Sequence, residues 1–386
     1  MAHALSWAAV WRRRLAVHAL LEPAPREQLE AVVGRVCGIH AQVAASAELS
    51  LGLRVRGLRQ PDVHQALWTD RTLVKTYGLR GTLHLFPAHE LGLWLAALAS
   101  VPSGRPASAP DRQLLPPDRL QEVLAAMREA LDGRRLTRDE LGQALAARLG
   151  AWVVEPVLPA FGGQWPRWQL ALGPAAQAGV LAFGPHRGNR VTYVRLDQWI
   201  GGPLPPVGGP SALREVCRRY LAAYGPITHA ELARWLAATP AAAKALLREL
   251  DDELEAVEVE GLPGAVQLAG TPEPAAGVAP SVLLLPHFDC YVVGCHPRGQ
   301  LIPPHAPAAL QAGTAAPFPV LVVDGVVAGL WQRRQHGRRL ELRVDAFRPL
   351  GARQRRRLAE QVERIGAFFG SPVELQEGRV EPRAHL

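Results

Sequence analysis

The sequence predicts an α+β fold, in which three tandem winged-helix units precede a small C-terminal domain rich in β-strands. Three patterns predict it: a helix-start motif that occurs twice, a two-stranded hairpin after the helices, and strand-like apolar runs in the last third of the chain. The chain has 386 residues, of which 48% are hydrophobic and 20% are charged. A disordered chain does not carry so much apolar material, so we expect the whole chain to fold.

The helix-start motif is a capping box, in which a Thr side chain and a Glu three residues later satisfy the free backbone donors of the first turn. It occurs at Thr137 and Glu140, and again at Thr228 and Glu231, about 90 residues further on. We therefore expect two helices that begin in the same way.

Strand pairs follow both helix starts. Apolar runs at 180–183 and 191–194 flank a turn with Gly and Pro, and runs at 254–259 and 266–268 flank another. Helices followed by a two-stranded wing are typical of the winged-helix fold, so each segment predicts one such unit.

The N-terminal segment matches this plan less closely. A helical apolar stripe over residues 29–36 precedes strand-like runs at 73–77 and 82–86, which bracket a turn at 78–81. We interpret this segment as a third copy that ends in the same kind of hairpin.

The C-terminal part has a different pattern. Runs at 282–285, 319–323 and 340–344 are strand-like, an Asp-Gly pair at 324–325 is a strong hairpin signal, and residues 358–369 make one amphipathic helix. The predicted units are residues 1–100, 115–200, 210–270 and 278–386, with Pro/Gly-rich linkers between them.

Several classes of protein are disfavoured. No run of about 18 apolar residues and no signal peptide are found, so we expect a cytoplasmic protein without a membrane partner. We expect buried free thiols at Cys37, Cys217, Cys290 and Cys295, which are too scattered for a disulfide framework. No CxxC pair, Walker loop or HExxH motif occurs, and we expect neither a metal nor a cofactor. Nothing indicates an obligate partner chain, so we expect a monomer.

The charge of the chain favours an anionic partner such as nucleic acid, because the formal net charge is +8 and the pI is about 9.9. An Arg-rich, Lys-poor composition also results from a GC-biased genome, so charge alone leaves the partner open. Lys75 and Lys244 are the only lysines, which leaves few candidates for an amine nucleophile.

Four segments resemble the AlkZ/YcaQ family of bacterial DNA glycosylases and occur in the family's order: residues 37–44, 79–86, 285–289 and 323–331. The resemblance implies three tandem winged helices and a C-terminal β-barrel, so the last domain is expected to be β-barrel-like. It also implies double-stranded DNA as the partner. The implied activity is removal of N-alkylated purines, including those in interstrand crosslinks and natural-product adducts.

The resemblance also implies the catalytic residues. The family's short motif is Gln-x-Gln or Gln-x-Asp, and here it reads His40-Ala41-Gln42, with His in place of the first Gln. N7 or N3 alkylation makes a purine a cationic leaving group, so the enzyme has to stabilise an oxocarbenium-like sugar and place a water near C1′. We expect Gln42 to position that water and His40 to assist. The alternative for His40 is a buried structural role, since it follows Val36 by four residues on the apolar stripe.

The scarcity of lysine indicates which nucleophile the glycosylase reaction uses. A glycosylase that also nicks the strand usually needs an amine for a Schiff base, so water is the simpler nucleophile here. We expect Lys75 to contact phosphate.

Two further groups are candidates for DNA binding. Arg80, Thr82 and His84 match the family on the first hairpin; alternatively, Thr82 and His84 hold that hairpin to its neighbours. A basic hairpin tip is predicted between two strand-like segments and contains Arg333, Arg334, His336, Arg338 and Arg339. It either enters the minor groove or binds phosphates, or is simply a solvated turn.

The sequence therefore leaves two candidate functions. The first is a monofunctional glycosylase for alkylated purines of the N7-alkylguanine type, possible substrates being bulky adducts and interstrand crosslinks. The second is a non-enzymatic winged-helix DNA-binding protein, either a transcription regulator or a lesion sensor.

Overall fold

The computed structural model describes residues 3–102, 110–160, 163–272, 281–311 and 318–381. The helices are α1 Trp7–Val17, α2 Leu29–Arg35, α3 Ala44–Gly52, α4 Gln60–His64, α5 Leu91–Ser100, α6 Pro110–Leu114, α7 Pro117–Ala130, α8 Arg138–Leu149, α9 Leu172–Gln177, α10 Leu196–Trp199, α11 Gly209–Tyr224, α12 His229–Leu236, α13 Pro240–Arg248, α14 Cys290–Gly294, α15 Arg298–Leu301, α16 Ala308–Gln311 and α17 Ala352–Phe369. The strands are β1 His3–Leu5, β2 Ile39–His40, β3 Leu73–Tyr77, β4 Leu83–Pro87, β5 Leu136–Thr137, β6 Pro156–Ala160, β7 Gly163–Pro166, β8 Leu181–Arg187, β9 Arg190–Arg195, β10 Leu254–Val259, β11 Ala265–Leu268, β12 Val282–Leu285, β13 Val320–Val323, β14 Val326–His336, β15 Arg339–Ala346 and β16 Val373–Glu377. Within the described ranges, no helix is both long enough and apolar enough to cross a lipid bilayer.

The chain divides into two compact units. The first unit comprises Met1–Gln65, Arg214–Trp235 and Pro240–Leu386, and the second comprises Ala66–Leu213 and Leu236–Thr239. The first unit is thus discontinuous in sequence. The limits of the four segments expected from the sequence stay a prediction.

In the second unit, helices precede a hairpin in the predicted order. Helix α8 begins with a complete capping box: Thr137 Oγ1 accepts from the backbone N–H of Glu140, and Glu140 Oε2 accepts from the N–H of Thr137 at 2.7 Å. Strands β8 and β9 pair antiparallel, and β5 adds to β9. The core beneath them includes Met127 of α7, Leu141 of α8 and Trp168.

The hairpin of β3 and β4 also belongs to the second unit. Its strands pair antiparallel from Leu73 with Pro87 to Tyr77 with Leu83, which confirms the predicted turn between them. Strand β3 packs beside β8, where the rings of Tyr77 and Phe183 lie 5.7 Å apart.

In the first unit, Thr228 and Glu231 satisfy backbone donors at the start of α12: Glu231 Oε2 accepts from the N–H of Thr228 at 2.9 Å, and Thr228 Oγ1 accepts from the N–H of Ala230 at 3.2 Å. The predicted hairpin follows as β10 and β11. The sequence pattern did not predict β1, which pairs parallel with β10 from His3–Leu5 to Val257–Val259.

The C-terminal strands form one sheet in the order β12-β13-β14-β15-β16. The Asp-Gly turn between β13 and β14 is confirmed, with φ of 50° at Asp324 and 89° at Gly325, as a type I′ hairpin turn requires. The expectation of a β-barrel-like domain is wrong for the described residues, because the strand order is linear and the sheet stays open. Closure would require β12 to pair with β16; instead α17 packs against both of these outer strands.

Candidate functional site

A tight turn carries the chain from α2 into the His40-Ala41-Gln42 motif. Cys37 and Gly38 both have positive φ, 63° and 89°, a conformation that glycine adopts at little cost. The hydroxyl of Tyr224 lies 3.0 Å from the carbonyl oxygen of Val36 and donates a hydrogen bond to it, which holds the start of this turn. The backbone leading into the motif is therefore fixed by buried contacts.

The two motif residues differ in exposure. His40 ends β2 with 5% of its surface accessible. Gln42 is exposed in the bend before α3. Gln42 is therefore the motif side chain that solvent and a ligand reach freely.

His40 packs on an aromatic ring from a distant part of the chain. The ring centroids of His40 and Phe288 lie 5.0 Å apart, and the ring planes are tilted by 21°, a stacked arrangement. Phe288 has φ of 56°, a left-handed conformation that costs about 1–3 kcal/mol in a non-glycine residue and is found preferentially at functional sites. The structure thus strains the backbone at the residue that orients His40.

A buried ion pair holds the segment next to Phe288. The guanidinium of Arg54 donates to both oxygens of Asp289, at 2.7 and 2.8 Å, and neither side chain is exposed. Asp289 also accepts from the Ser50 hydroxyl at 2.6 Å and from the N–H of Tyr291 at 2.9 Å. These bonds join α3 to the N-terminus of α14.

The ion pair keeps both groups charged. Burial alone would raise the pKa of Asp289, but the charge of Arg54 and the hydrogen bonds from Arg54, Ser50 and Tyr291 lower it below its ordinary value. Burial opposes the charge of Arg54 as well, and Asp289 reverses this effect and raises the pKa of Arg54.

A second contact holds the C-terminal end of helix α3. Arg364 of α17 donates to the carbonyl oxygen of Gly52 at 2.9 Å. Burial lowers the pKa of Arg364 to about 10, so the side chain remains a cation at neutral pH. The C-terminal end of α3, which starts two residues after Gln42, is therefore anchored twice within the first unit.

A pocket of about 310 Å³ is lined by residues that follow the motif in sequence and by C-terminal residues, and we call it the Trp331 pocket. One wall comes from the start of α3, with Val43, Ala45, Ser46 and Leu49; the others come from Pro286, His287, Phe318, Pro319, Leu330, Trp331, Gln332, Arg333, Val380 and Glu381. Val43 follows Gln42 directly and His287 precedes Phe288, so the pocket adjoins the chain neighbours of the motif and of its stacking partner.

The predicted DNA-binding residues of the first hairpin lie in the second unit. Lys75 is buried, and its ammonium lies 5.5 Å from the centre of the Phe183 ring, an arrangement that argues for packing rather than the expected phosphate contact. Thr82 Oγ1 donates to the carbonyl oxygen of Leu79 at 2.9 Å, and His84 Nδ1 donates to that of Thr82 at 3.0 Å. These bonds favour the alternative in which Thr82 and His84 hold the hairpin.

Arg80 stands at the tip of the same hairpin, half-buried and with φ of 57°. It lines a cleft that Tyr77, Gly78 and Leu170 also line. Of the four candidates on this hairpin, Arg80 is the cation closest to an open surface.

The basic run forms the predicted hairpin tip in the first unit. Strands β14 and β15 pair to their ends, where His336 faces Arg339. The five candidate side chains are all exposed: Arg333, Arg334, His336, Arg338 and Arg339. The first unit therefore holds both this tip and the His40-Ala41-Gln42 motif, whereas Lys75, Arg80, Thr82 and His84 belong to the second.

The four cysteines are free and buried, as predicted. Burial raises the pKa of Cys290 to about 12 and that of Cys295 to about 11, so both thiols are protonated and unreactive at neutral pH.

Sequence reasoning missed the partners of the motif. Phe288 and Asp289 were noted only as part of a run that resembles the family, and no role was assigned to either. Arg54 lies 235 residues from Asp289, a separation at which no local pattern predicts a contact. The adjacency of Phe288 and Asp289 within that run was the only available signal.

Comparisons with known proteins agree over most of the chain. The family model described as DNA glycosylase AlkZ-like matches residues 33–368. The interstrand DNA cross-link repair glycosylase of Streptomyces sahachiroi is 33% identical over 335 residues, which are 85% of this chain and 88% of that protein. The solved structure of Streptomyces sahachiroi DNA glycosylase AlkZ matches with a TM-score of 0.76 and 28% identity, over 97% of this chain and 100% of the other.

Proposed function

The chain belongs to the AlkZ-like DNA glycosylase family, and from that premise we propose that it is a monofunctional glycosylase for alkylated purines of the N7-alkylguanine type, with water as the nucleophile. Because the chain belongs to this family, it is an enzyme rather than a non-enzymatic DNA-binding protein. Bulky N7 adducts and interstrand crosslinks are included in the proposed substrates, in line with the name of the curated relative.

The proposed reaction needs little acid catalysis. An N7-alkylguanine is cationic, so the C1′–N9 bond breaks with its electron pair going to the base, which leaves neutral. The sugar becomes oxocarbenium-like, a water oxygen bonds to C1′, and the water gives one proton to the His40 imidazole or to solvent. The protein has to position the water and stabilise the positive charge on the sugar.

Gln42 and His40 are proposed for these tasks. The Gln42 carboxamide oxygen accepts a hydrogen bond from the water and aims it at C1′. His40, whose ring is oriented by Phe288, assists through the small part of its surface that is accessible. The observation that carries this assignment is the exposure of Gln42 between anchored neighbours, with His40 packed on one side and α3 on the other.

The wider architecture is part of the same proposal. The helix and hairpin segments are assigned to three winged-helix units that bind double-stranded DNA, and the protein is proposed to act as a cytoplasmic monomer. The basic tip of β14 and β15 is assigned to the DNA backbone or minor groove, because four exposed arginines and one exposed histidine lie within seven residues there.

The proposal is tested with a duplex that carries one N7-methylguanine. We expect free 7-methylguanine, detected by chromatography, and a strand that breaks only after alkali treatment, because water leaves an intact abasic site. Strand nicking without alkali, or a protein–DNA adduct trapped by borohydride, contradicts a monofunctional enzyme. Absence of base release from any N7-alkylguanine duplex contradicts the proposed activity.

A further inference from the structure

We propose that the Trp331 pocket is a subsite for an apolar substituent carried by the alkylated base. The inference rests on the proposed function and adds to it a substrate class: N7-guanine adducts whose alkyl group is large and apolar, such as a benzyl group.

The position of the pocket brings it within reach of such a substituent. Its wall begins at Val43, one residue after the exposed Gln42, and continues along α3 through Ala45 and Ser46. On the facing side, His287 adjoins Phe288, the stacking partner of His40. His40 and Gln42 do not line the pocket themselves, and we place a base held at the motif beside it through these chain neighbours.

The chemistry of the wall suits an alkyl or aryl group better than the base itself. Most of the lining surface is apolar, from residues such as Leu49, Phe318 and Leu330, and the polar lining residues are Ser46, His287, Gln332, Arg333 and Glu381. The edge of a purine needs hydrogen-bond partners that replace water, so the predominantly apolar surface favours the substituent. The indole N–H of Trp331 is already used, because it donates to the carbonyl oxygen of Leu285 at 2.8 Å. A volume of about 310 Å³ lies at the low end of the range of about 300–1,000 Å³ for small-molecule sites.

Arg333 at the rim suggests which side of the pocket faces the DNA backbone. The guanidinium of Arg333 lies 4.2 Å from the centre of the Phe369 ring, which supports the side chain at the edge of the pocket. Arg333 is exposed at this rim, so its cation is available to a DNA phosphate. A ligand with an anionic backbone outside and an apolar group inside matches this polarity.

The inference is tested with a substitution that fills the pocket and leaves His40 and Gln42 unchanged. Ala45 is half-buried, lines the pocket and stands in α3, where Leu has a good helix propensity. Single-turnover rates are measured on duplexes with 7-methylguanine and with 7-benzylguanine, at subsaturating protein. For Ala45→Leu we expect the rate on 7-benzylguanine to fall by about tenfold or more relative to the rate on 7-methylguanine.

Two variants accompany this measurement. Ala359→Leu makes the same change on the exposed face of α17, outside the pocket, and should leave both rates unchanged. Gln332→Phe narrows the pocket from β14 and should give the same selective loss, which keeps the test valid if Ala45→Leu fails to fold.

The ratio of the two rates distinguishes the outcomes. If both substrates are slowed equally, the pocket holds the base itself or supports the motif. If neither rate changes, the pocket holds neither the base nor its substituent. Either result overturns the inference while the proposed function stands. Failure of the unaltered protein to release either base contradicts the proposed function and with it the inference.

Discussion

Asp289 and Arg54 form the charge interaction that matters most for the candidate site. Both side chains are fully buried, and removal of two charges from water costs several kcal/mol per ion. The bidentate geometry and the hydrogen bonds from Ser50 and Tyr291 offset that cost. The pair holds the residue that follows the strained Phe288, so its role is to fix the ring against which His40 stacks.

Replacement of Asp289 by Asn should be strongly destabilising. It leaves the Arg54 cation buried without its counter-charge, and we expect the free energy of unfolding to fall by about 3–5 kcal/mol. Urea titration followed by circular dichroism measures the change. Glu360→Gln is the matched control, since its 2.7 Å ion pair with Arg357 is about half exposed, and we expect a loss below about 1 kcal/mol. Equal losses in the two variants would contradict this account of the pair.

Single residues were predictable only where a short motif exists. The resemblance singled out His40 and Gln42, and the structure places one of them in contact with Phe288 and the other in solvent. Which of the two is buried did not follow from the sequence, because Phe288 contacts His40 across most of the chain length. For Lys75, the sequence indicated a charge but gave no sign of the Phe183 ring beside it.

At the scale of elements, most local pairings were predictable and distant ones were not, although the local antiparallel pair β6–β7 was missed. The hairpins β3–β4, β8–β9, β10–β11 and β13–β14 were all predicted, because their strands are joined by short turns with Gly, Asp or Pro. Strands β1 and β16 were missed. Each is short and pairs parallel with a strand reached through a long connection, so its neighbour has no local sequence signal.

The β14–β15 hairpin tip leads to a prediction about DNA binding. If Arg334 and Arg338 contact phosphates, the double variant Arg334→Gln/Arg338→Gln should bind undamaged duplex with a shallower salt dependence. We expect the slope of log K against log salt concentration to decrease in magnitude by about 1–2, since each phosphate contact contributes about 0.9. Fluorescence anisotropy at several salt concentrations gives the slope.

A control variant removes two arginine charges outside the hairpin tip. Arg348→Gln/Arg357→Gln lies in the C-terminal part of the chain, outside the segments assigned to winged-helix units; both side chains are exposed, and Arg357 is paired with Glu360. Its slope should stay close to that of the parent. A tip variant whose slope equals the parent slope would assign the basic run to a solvated turn.

At the scale of the whole molecule, the order of the main elements was predictable from the sequence. The first compact unit combines the N-terminus, part of the middle and the C-terminal sheet, and the limits of the four consecutive segments predicted from the sequence stay a prediction. The barrel was inferred from resemblance, and the described strands form an open sheet under α17 instead. Net charge left the partner open, and only the family match assigned the chain to the DNA glycosylases.

The central claim is that the exposed carboxamide of Gln42 positions the attacking water. The most direct measurement is the single-turnover rate of 7-methylguanine release by Gln42→Ala, compared with Gln28→Ala, which truncates an exposed glutamine in the same unit outside the motif. We predict a loss of about 100-fold or more for Gln42→Ala, with thermal stability unchanged, and no loss for Gln28→Ala. Equal rates for the two variants would contradict the claim.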